Sequence, residues 1–121
     1  MIGTNNLGTA SPQDVARGIA AVVGSIRTAL PKAVVVLNAL LPRGRPGDPA
    51  RAQAAAVNAR IAALADGKHV RWVDAGAGFI DGSGTIAPAL MPDLLHPSAY
   101  GYELWAAALR PVLLDTLAKA H

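Results

Sequence analysis

The feature that most constrains the fold is a run of nine residues, 33–41, that is apolar except for Asn38. Three consecutive valines lie in its first half, at positions 34–36, and β-branched side chains favour strands. The run does not alternate between apolar and polar residues, which is typical of a strand that is covered on both faces. We therefore predict a buried strand of a parallel sheet over this run.

An amphipathic helix is predicted before this strand. Ser11 is a good helix N-cap, and Pro12 follows it at the first helical position. Apolar residues then recur at intervals of three and four, which predicts one buried helix face. The predicted face consists of Val15, Ile19, Val22, Ile26 and Leu30. Pro31 ends the helix.

The rest of the chain continues the alternation of helix and strand. A second helix is predicted over residues 50–65, a shorter strand over residues 70–75, and a last helix after the cap Ser98. This order favours an α/β layered sheet with right-handed crossovers. The 121 residues suit a single domain, 1–121. The inward face expected for the last helix consists of Leu104, Ala108, Val112 and Leu113.

Composition excludes several classes of protein. A hydrophobic content of 52% with only 16% charged residues is not that of a disordered chain. The net charge of +3 comes mostly from scattered basic residues with few aromatics, so no nucleic-acid partner is expected. The one basic cluster is interpreted as a solvated loop, and it consists of Arg43, Arg45 and Arg51.

Features that the sequence lacks limit the cofactors and the cellular location that we expect. The chain has no cysteine, and its histidines lack metal-ligand spacing, so neither a metal nor a cofactor is predicted. His69 and His121 are interpreted as surface residues with no partner nearby in the sequence. No apolar run is long enough to cross a bilayer and no secretory signal is visible, so we expect a cytoplasmic protein.

The sharpest chemical feature is the pair Asp93 and His96, three residues apart just before the last predicted helix. Pro97 disfavours helical backbone angles at His96, so the pair should lie in a loop. Such a loop can fold the carboxylate of Asp93 onto Nδ1 of His96, which would leave Nε2 free as a general base. A surface aspartate beside a helix-capping histidine is the alternative that this spacing leaves open.

A second chemical feature is the polar segment Gly3-Thr4-Asn5-Asn6 before the first helix. An asparagine amide is a neutral hydrogen-bond donor that can stabilise a developing oxyanion. Asparagines are also common turn residues, which is the alternative interpretation of this segment.

Together these segments resemble the SGNH (GDSL-type) hydrolase family. The order is Gly-Thr-Asn-Asn, a helix, a strand that ends in Leu-Leu-Pro-Arg-Gly, a helix, a strand, and Asp-Leu-Leu-His-Pro-Ser. The branch most similar contains the catalytic subunits of intracellular platelet-activating-factor acetylhydrolase. The likeness runs from residue 3 to about residue 117. It implies a flavodoxin-like three-layer sandwich with a parallel sheet and a site at the carboxyl ends of the strands.

The resemblance assigns roles to matching residues. Asn5 matches the oxyanion-hole asparagine, and Asp93 and His96 match the catalytic pair. Gly3 and Asn6 belong to the same block as Asn5 and are assigned to substrate binding. Asn6 stands where the family usually has aspartate. The implied substrate is a small carboxylic ester with a short acyl chain.

The resemblance also predicts an N-terminally truncated domain. The family's Gly-Asp-Ser block carries the nucleophile on the first strand, and a second block supplies a glycine amide to the oxyanion hole. Neither block occurs in this sequence. None of the serines present is at the strand-to-helix turn that usually presents a nucleophile, and they are Ser11, Ser25, Ser83 and Ser98. Water activated by His96 is a further candidate.

Three interpretations of function therefore stay open. The chain is an ester hydrolase, a non-enzymatic module with an idle dyad, or half of a split hydrolase that needs a separate N-terminal chain. A sheet without its flanking strands would also expose an edge and apolar helix surface, and such surfaces tend to pair with another chain. We therefore expect a homo-oligomer formed through the exposed sheet edge.

Overall fold

In the computed structural model, which describes residues 1–119, helices and strands alternate as the sequence predicts. His121 lies outside the described residues. None of the three α-helices within residues 1–119 combines the length and apolarity needed to cross a bilayer. The elements in chain order are α1 (Pro12–Ala29), β1 (Val35–Asn38), α2 (Pro49–Ala62), β2 (Val70–Val73) and α3 (Ala99–Ala118).

The two strands pair in parallel, which confirms the predicted sheet type. Val35 lies opposite Val70, and Asn38 lies opposite Val73. The ladder is shorter than the apolar run: residues 33–34 precede it, and residues 39–41 follow it and stay buried. The prediction that this strand is buried on both faces is correct in part: Leu37 is buried, and the other three residues of β1 are half-buried. Within residues 1–119, β1 has a hydrogen-bonded strand on one edge only.

Helices α1 and α2 cover one face of the sheet. The predicted stripe of α2 is confirmed, since Val57 and Ile61 are 0% and 1% exposed and Leu64 packs against the same cluster. Pro12 begins α1, and the Ser11 hydroxyl accepts the Asp14 N–H at 3.1 Å, as expected of an N-cap. Burial of these aliphatic side chains is the main contribution to stability on this face.

Helix α3 and the loop before it cover the other face, which completes a three-layer α/β arrangement. Phe79 and Met91 lie at the centre of this second core, and Leu104 packs against them from α3. The indole N–H of Trp105 donates to Asn38 Oδ1 at 3.0 Å, which ties α3 to the end of β1. Leu113 was expected to face inward, but it is 43% exposed.

The apolar face predicted for α1 is correct only in its first half. Val15 and Ile19 are buried, whereas Val22, Ile26 and Leu30 are 45%, 36% and 59% exposed. The reason is a lack of neighbours, since Val22 and Ile26 border a cavity of about 190 Å³ beside β1. In the second half of the helix the buried residue is Val23, which packs in the same core and was not part of the predicted face.

Candidate active site

Asp93 and His96 meet in the loop that leads into α3. Oδ2 of Asp93 lies 2.6 Å from Nδ1 of His96, so the hydrogen bond expected from their spacing is present. The other carboxylate oxygen, Oδ1, accepts the backbone N–H groups of Leu95 at 3.0 Å and His96 at 2.7 Å. These three hydrogen bonds hold the carboxylate and the imidazole in one orientation.

The backbone of Leu94 makes this arrangement possible. Leu94 is the only described non-glycine residue with a positive φ, at 60°. A leucine in this left-handed conformation costs about 1–2 kcal/mol, so surrounding contacts must hold it there. Its side chain packs against the second core, its N–H donates to Met91 O at 3.0 Å, and its carbonyl accepts the N–H of Gly44 at 2.9 Å.

The other end of the loop is fixed by Ser98. Its backbone N–H donates to Leu90 O at 2.8 Å, and its hydroxyl accepts the N–H of Gly101 at 3.2 Å as the N-cap of α3. The same hydroxyl donates to Ala89 O. The predicted capping role of Ser98 is therefore confirmed, and its hydroxyl is occupied.

The electrostatics of the pair favour an ionised carboxylate. The side-chain hydrogen bond from His96, followed by its backbone N–H, lowers the pKa of Asp93 to about 2. An ionised carboxylate can only accept, so Nδ1 of His96 carries the proton and Nε2 carries the lone pair. The side chains of His96 and Asp93 are 77% and 54% exposed, so Nε2 is open to a substrate.

The same Asp-x-x-His spacing occurs a second time, at Asp66 and His69. Here Nδ1 lies 3.4 Å from the carboxylate, so the prediction that His69 has no nearby partner is wrong. Oδ1 of Asp66 accepts the N–H groups of residues 68–70, and these bonds hold the pKa of Asp66 well below its usual range. This pair precedes β2, at the opposite end of that strand from the residues that lead to the Asp93–His96 loop.

The segment that carries Asn5 forms a short 3-10 helix, Thr4–Asn6. Gly3 precedes it with φ of 107°, and a Cβ at Gly3 would lie 3.0 Å from Val15, so this glycine packs closely on α1. Asn5 and Asn6 are exposed, and the Asn6 carbonyl accepts the N–H of Ala10 at 3.0 Å.

The loop after β1 connects the two parts of the predicted site. Nη1 of Arg43 donates to the carbonyl of Thr4 at 2.9 Å, and the N–H of the next residue, Gly44, donates to Leu94 O. Adjacent residues therefore hold the Asn5 segment and the dyad loop. No hydrogen bond within residues 1–119 joins the Asn5 side chain to the dyad, so a shared cleft stays a proposal.

The role of Arg43 was missed in the sequence, where the basic cluster was interpreted as a solvated loop. That interpretation is wrong for Arg43 and Arg51, which are half-buried and donate to backbone carbonyls. The signal that could have suggested it is the position of Arg43 in the loop after the apolar run 33–41 and of Arg51 in the first turn of α2.

The serine hydroxyls are engaged away from the dyad. Each donates to an acceptor other than His96: Ser11 to Asp14, Ser25 to Ala21, Ser83 to Asp81 and Ser98 to Ala89. Two of these acceptors, Ala21 and Asp81, lie within the donor's own helix or turn, so these hydroxyls are bonded locally. The arrangement supplies a base and its orienting carboxylate but no adjacent nucleophile among the described serines.

Comparison with known proteins identifies the family of the chain. Residues 1–104 match the model of the GDSL-like lipase/acylhydrolase family. The human platelet-activating factor acetylhydrolase IB subunit alpha1 is 40% identical over 119 residues, which is 98% of this chain and 51% of that protein. The chicken subunit alpha2 is 37% identical over 117 residues, which is 96% of this chain and 51% of that protein. The chain thus spans about half the length of the curated relatives it matches.

Solved structures confirm the fold class. A GDSL-like lipase from Bacteroides thetaiotaomicron superposes with a TM-score of 0.76 at 22% identity, over 91% of this chain and 56% of that one. A putative acylhydrolase from Bacteroides fragilis gives 0.77 at 24% identity, over 94% and 57%. At these identities the likeness establishes the fold, which is the flavodoxin-like arrangement that the sequence predicts.

Proposed function

Because the chain belongs to the GDSL-like lipase/acylhydrolase family, we propose that its site hydrolyses small carboxylic esters. The observation that carries this proposal is the hydrogen bond between Asp93 and His96, which leaves Nε2 as an exposed base. The names of the acetylhydrolase relatives support a short acyl chain. These relatives are about twice as long as the chain, so the activity is proposed for the residues present and needs its own test.

In the proposed reaction, Nε2 of His96 takes the proton of a hydroxyl nucleophile as its oxygen attacks the ester carbonyl carbon. The carbonyl electron pair moves to the oxygen, and the tetrahedral intermediate collapses when the alkoxide leaves with the proton from His96. With water as the nucleophile this step releases the carboxylic acid; with a serine hydroxyl, the same two proton transfers repeat with water to release the acid from the acyl-serine. Asp93 stays ionised throughout and stabilises the imidazolium that forms between the two proton transfers.

Asn5 is the proposed donor to the developing oxyanion. Its support is the pair of hydrogen bonds that attach Thr4 and Leu94 to adjacent residues of one loop. An amide donor at this position acts without a change of charge, and loss of one such donor costs about 10²–10³ in kcat in well-studied hydrolases. Gly3 and Asn6, which belong to the same segment as Asn5, are proposed to bind the substrate.

The nucleophile is the open part of the proposal. With the four serine hydroxyls engaged elsewhere, water activated by His96 is the nucleophile that the described residues support. A fluorophosphonate probe reacts with activated serines and distinguishes the alternatives. Labelling of the purified chain would show that one of its own serines acts, and the labelled peptide would identify it.

The direct test is hydrolysis of p-nitrophenyl acetate and butyrate by the purified chain. We expect His96→Ala to lower kcat/KM by about 10²–10⁴-fold, because it removes the general base. The matched control is His69→Ala, since His69 has the same spacing to an aspartate but lies before β2. The control should keep the wild-type rate. Equal rates for all three chains would exclude the proposed site.

A homo-oligomer is proposed alongside this activity. The support is the exposed apolar surface of Val22, Ile26 and Leu30, together with the edge of β1 that lacks a strand neighbour within residues 1–119. Light scattering at micromolar concentration should give a mass above that of one 12.3 kDa chain. A monomer mass would contradict the proposal. Val22→Lys should lower the apparent mass if this surface is the contact.

A further inference from the structure

Arg51 lies in the first turn of α2 and connects two loops through its guanidinium group. Nε donates to Arg43 O at 3.2 Å, and Nη2 donates to Gly44 O at 2.8 Å. Nη1 donates to Gly84 O at 2.7 Å, in the turn that follows β2. One half-buried side chain thus fixes consecutive carbonyls after β1 and one carbonyl after β2.

The contact with Arg43 has a consequence for the dyad. The carbonyl of Arg43 and the N–H of Gly44 belong to the same planar peptide group and point in opposite directions. A donor that fixes the carbonyl therefore also aims the N–H. That N–H is the group that donates to Leu94 O at 2.9 Å.

The contact with Leu94 matters because this residue holds the dyad loop in shape. Its left-handed conformation, with φ of 60°, places Asp93 so that it accepts N–H groups two and three residues later. Without the bond from Gly44, a leucine would tend to leave this conformation, since only glycine adopts it freely. The chain of contacts runs from Arg51 through one peptide group to Leu94.

We propose that Arg51 is a positioning residue that holds the Asp93–His96 pair in its hydrogen-bonded form through the peptide group between Arg43 and Gly44. The proposal rests on the proposed function for its relevance to catalysis. Its physical content, the geometry of the pair, is independent of that function.

The test is Arg51→Lys in the complete chain. Lysine keeps the positive charge and the aliphatic stem but loses the planar fork that reaches several carbonyls at once. The matched control is Arg60→Lys on the same helix, where Arg60 is exposed and, within residues 1–119, donates only to Ala56 O in its own helix. All three chains are studied in the same sucrose-containing buffer, which favours the folded state.

The measured quantity is the tautomer of neutral His96, obtained from the ¹⁵N shifts of its two ring nitrogens. In the wild-type chain and in Arg60→Lys we expect the Nδ1–H tautomer to predominate, because Asp93 accepts that proton. In Arg51→Lys the ring should shift toward the Nε2–H tautomer that free imidazole side chains prefer. In the same variant, the pKa of Asp93 should rise from about 2 toward its ordinary value of 3.8.

A folded Arg51→Lys chain with the wild-type tautomer and the wild-type pKa of Asp93 would overturn the proposal, even if its melting temperature were lower. Circular dichroism under the same conditions shows whether the variant is folded. No ester is used in these measurements, so failure of the hydrolysis assay would leave their result unaffected.

Discussion

Asn58 holds Leu40 by both of its backbone polar groups. Oδ1 of Asn58 accepts the N–H of Leu40 at 2.8 Å, and Nδ2 donates to its carbonyl at 2.9 Å. Leu40 is 2% exposed and lies two residues after the end of β1. A side-chain amide on α2 therefore replaces the strand partner that Leu40 lacks, and it sets the path of the chain toward Arg43 and Gly44.

The first prediction is that Asn58→Ala destabilises the protein by about 2–4 kcal/mol, because it leaves a buried N–H and a buried C=O without partners. Urea unfolding followed by circular dichroism measures the change. Arg60→Ala, on the exposed side of the same helix, should change the free energy of unfolding by less than about 0.5 kcal/mol. A similar small effect for both variants would show that water satisfies Leu40 when Asn58 is absent.

The second prediction compares two glycines in the loop after β1. Gly44 and Gly47 both have a positive φ, at 70° and 87°, so alanine at either position costs about 1–2 kcal/mol. A Cβ at Gly44 would also overlap the carboxylate of Asp48, which accepts the N–H of Arg45 at 2.6 Å, whereas a Cβ at Gly47 meets nothing within 4 Å.

We therefore expect Gly44→Ala to destabilise by roughly 1 kcal/mol more than Gly47→Ala, since it also displaces that hydrogen bond. Thermal unfolding of the two variants measures the difference. Because Gly44 also contacts the dyad loop, Gly44→Ala should reduce ester hydrolysis more than Gly47→Ala. Equal stability of the two variants would mean that Asp48 moves aside without cost.

The third prediction concerns the packing of α3 on the dyad loop. A Cβ at Gly101 would lie 2.5 Å from Leu90 O and 2.9 Å from Cβ of Pro97. Gly101→Ala must therefore separate the helix from the loop, and overpacking of this kind costs about 1–3 kcal/mol. The matched control is Gly18→Ala in α1, where nothing lies within 4 Å and alanine should stabilise by about 0.5–1 kcal/mol. Opposite signs in thermal unfolding would confirm the close approach, and stabilisation by both variants would contradict it.

The fourth prediction is a pH dependence of stability. The pKa of Asp93 is about 2 in the folded chain, against an ordinary value of 3.8, so the folded state favours the ionised form. The stabilisation is therefore fully present above pH 3.8 and is lost as the pH falls through about 2. The melting temperature of Asp93→Asn should be below that of the wild type at pH 7, and the difference should disappear near pH 2.

A double-mutant cycle checks the cause of that dependence. The side-chain hydrogen bond from His96 is the largest contribution to the low pKa, so Asp93→Asn should have a smaller effect in a His96→Ala background. An effect of the same size in both backgrounds would mean that the backbone N–H groups, and not the imidazole, stabilise the carboxylate.

Features that depend on neighbouring residues in the chain could be predicted from the sequence. The caps at Ser11 and Ser98 need only a hydroxyl and an N–H three residues later. The hydrogen bond between Asp93 and His96 spans three residues of one loop. Physically, short chain separations leave few conformations that can bring such groups together, so the residue types carry most of the information.

The two Asp-x-x-His pairs show what short chain separations do not predict. Asp66 and His69 have the same spacing as Asp93 and His96, and both pairs form a contact. They differ in distance, 2.6 Å for Asp93–His96 against 3.4 Å for Asp66–His69, and in position: one pair precedes β2, while the other lies in a loop that Gly44 contacts. Spacing alone contains no information about which element lies across from a loop.

What the sequence determined by itself is the alternation of helix and strand, the buried stripe of α2, the first half of the buried face of α1, the caps and the close pairing of the dyad. Tertiary structure decided that Val22 and Ile26 are exposed, and that Arg43 and Arg51 bind backbone carbonyls. The physical reason is that an apolar stripe is buried only where another element covers it, and a long basic side chain donates only where an acceptor lies within reach. Whether such a neighbour is present depends on elements that are distant in the chain and adjacent only after folding.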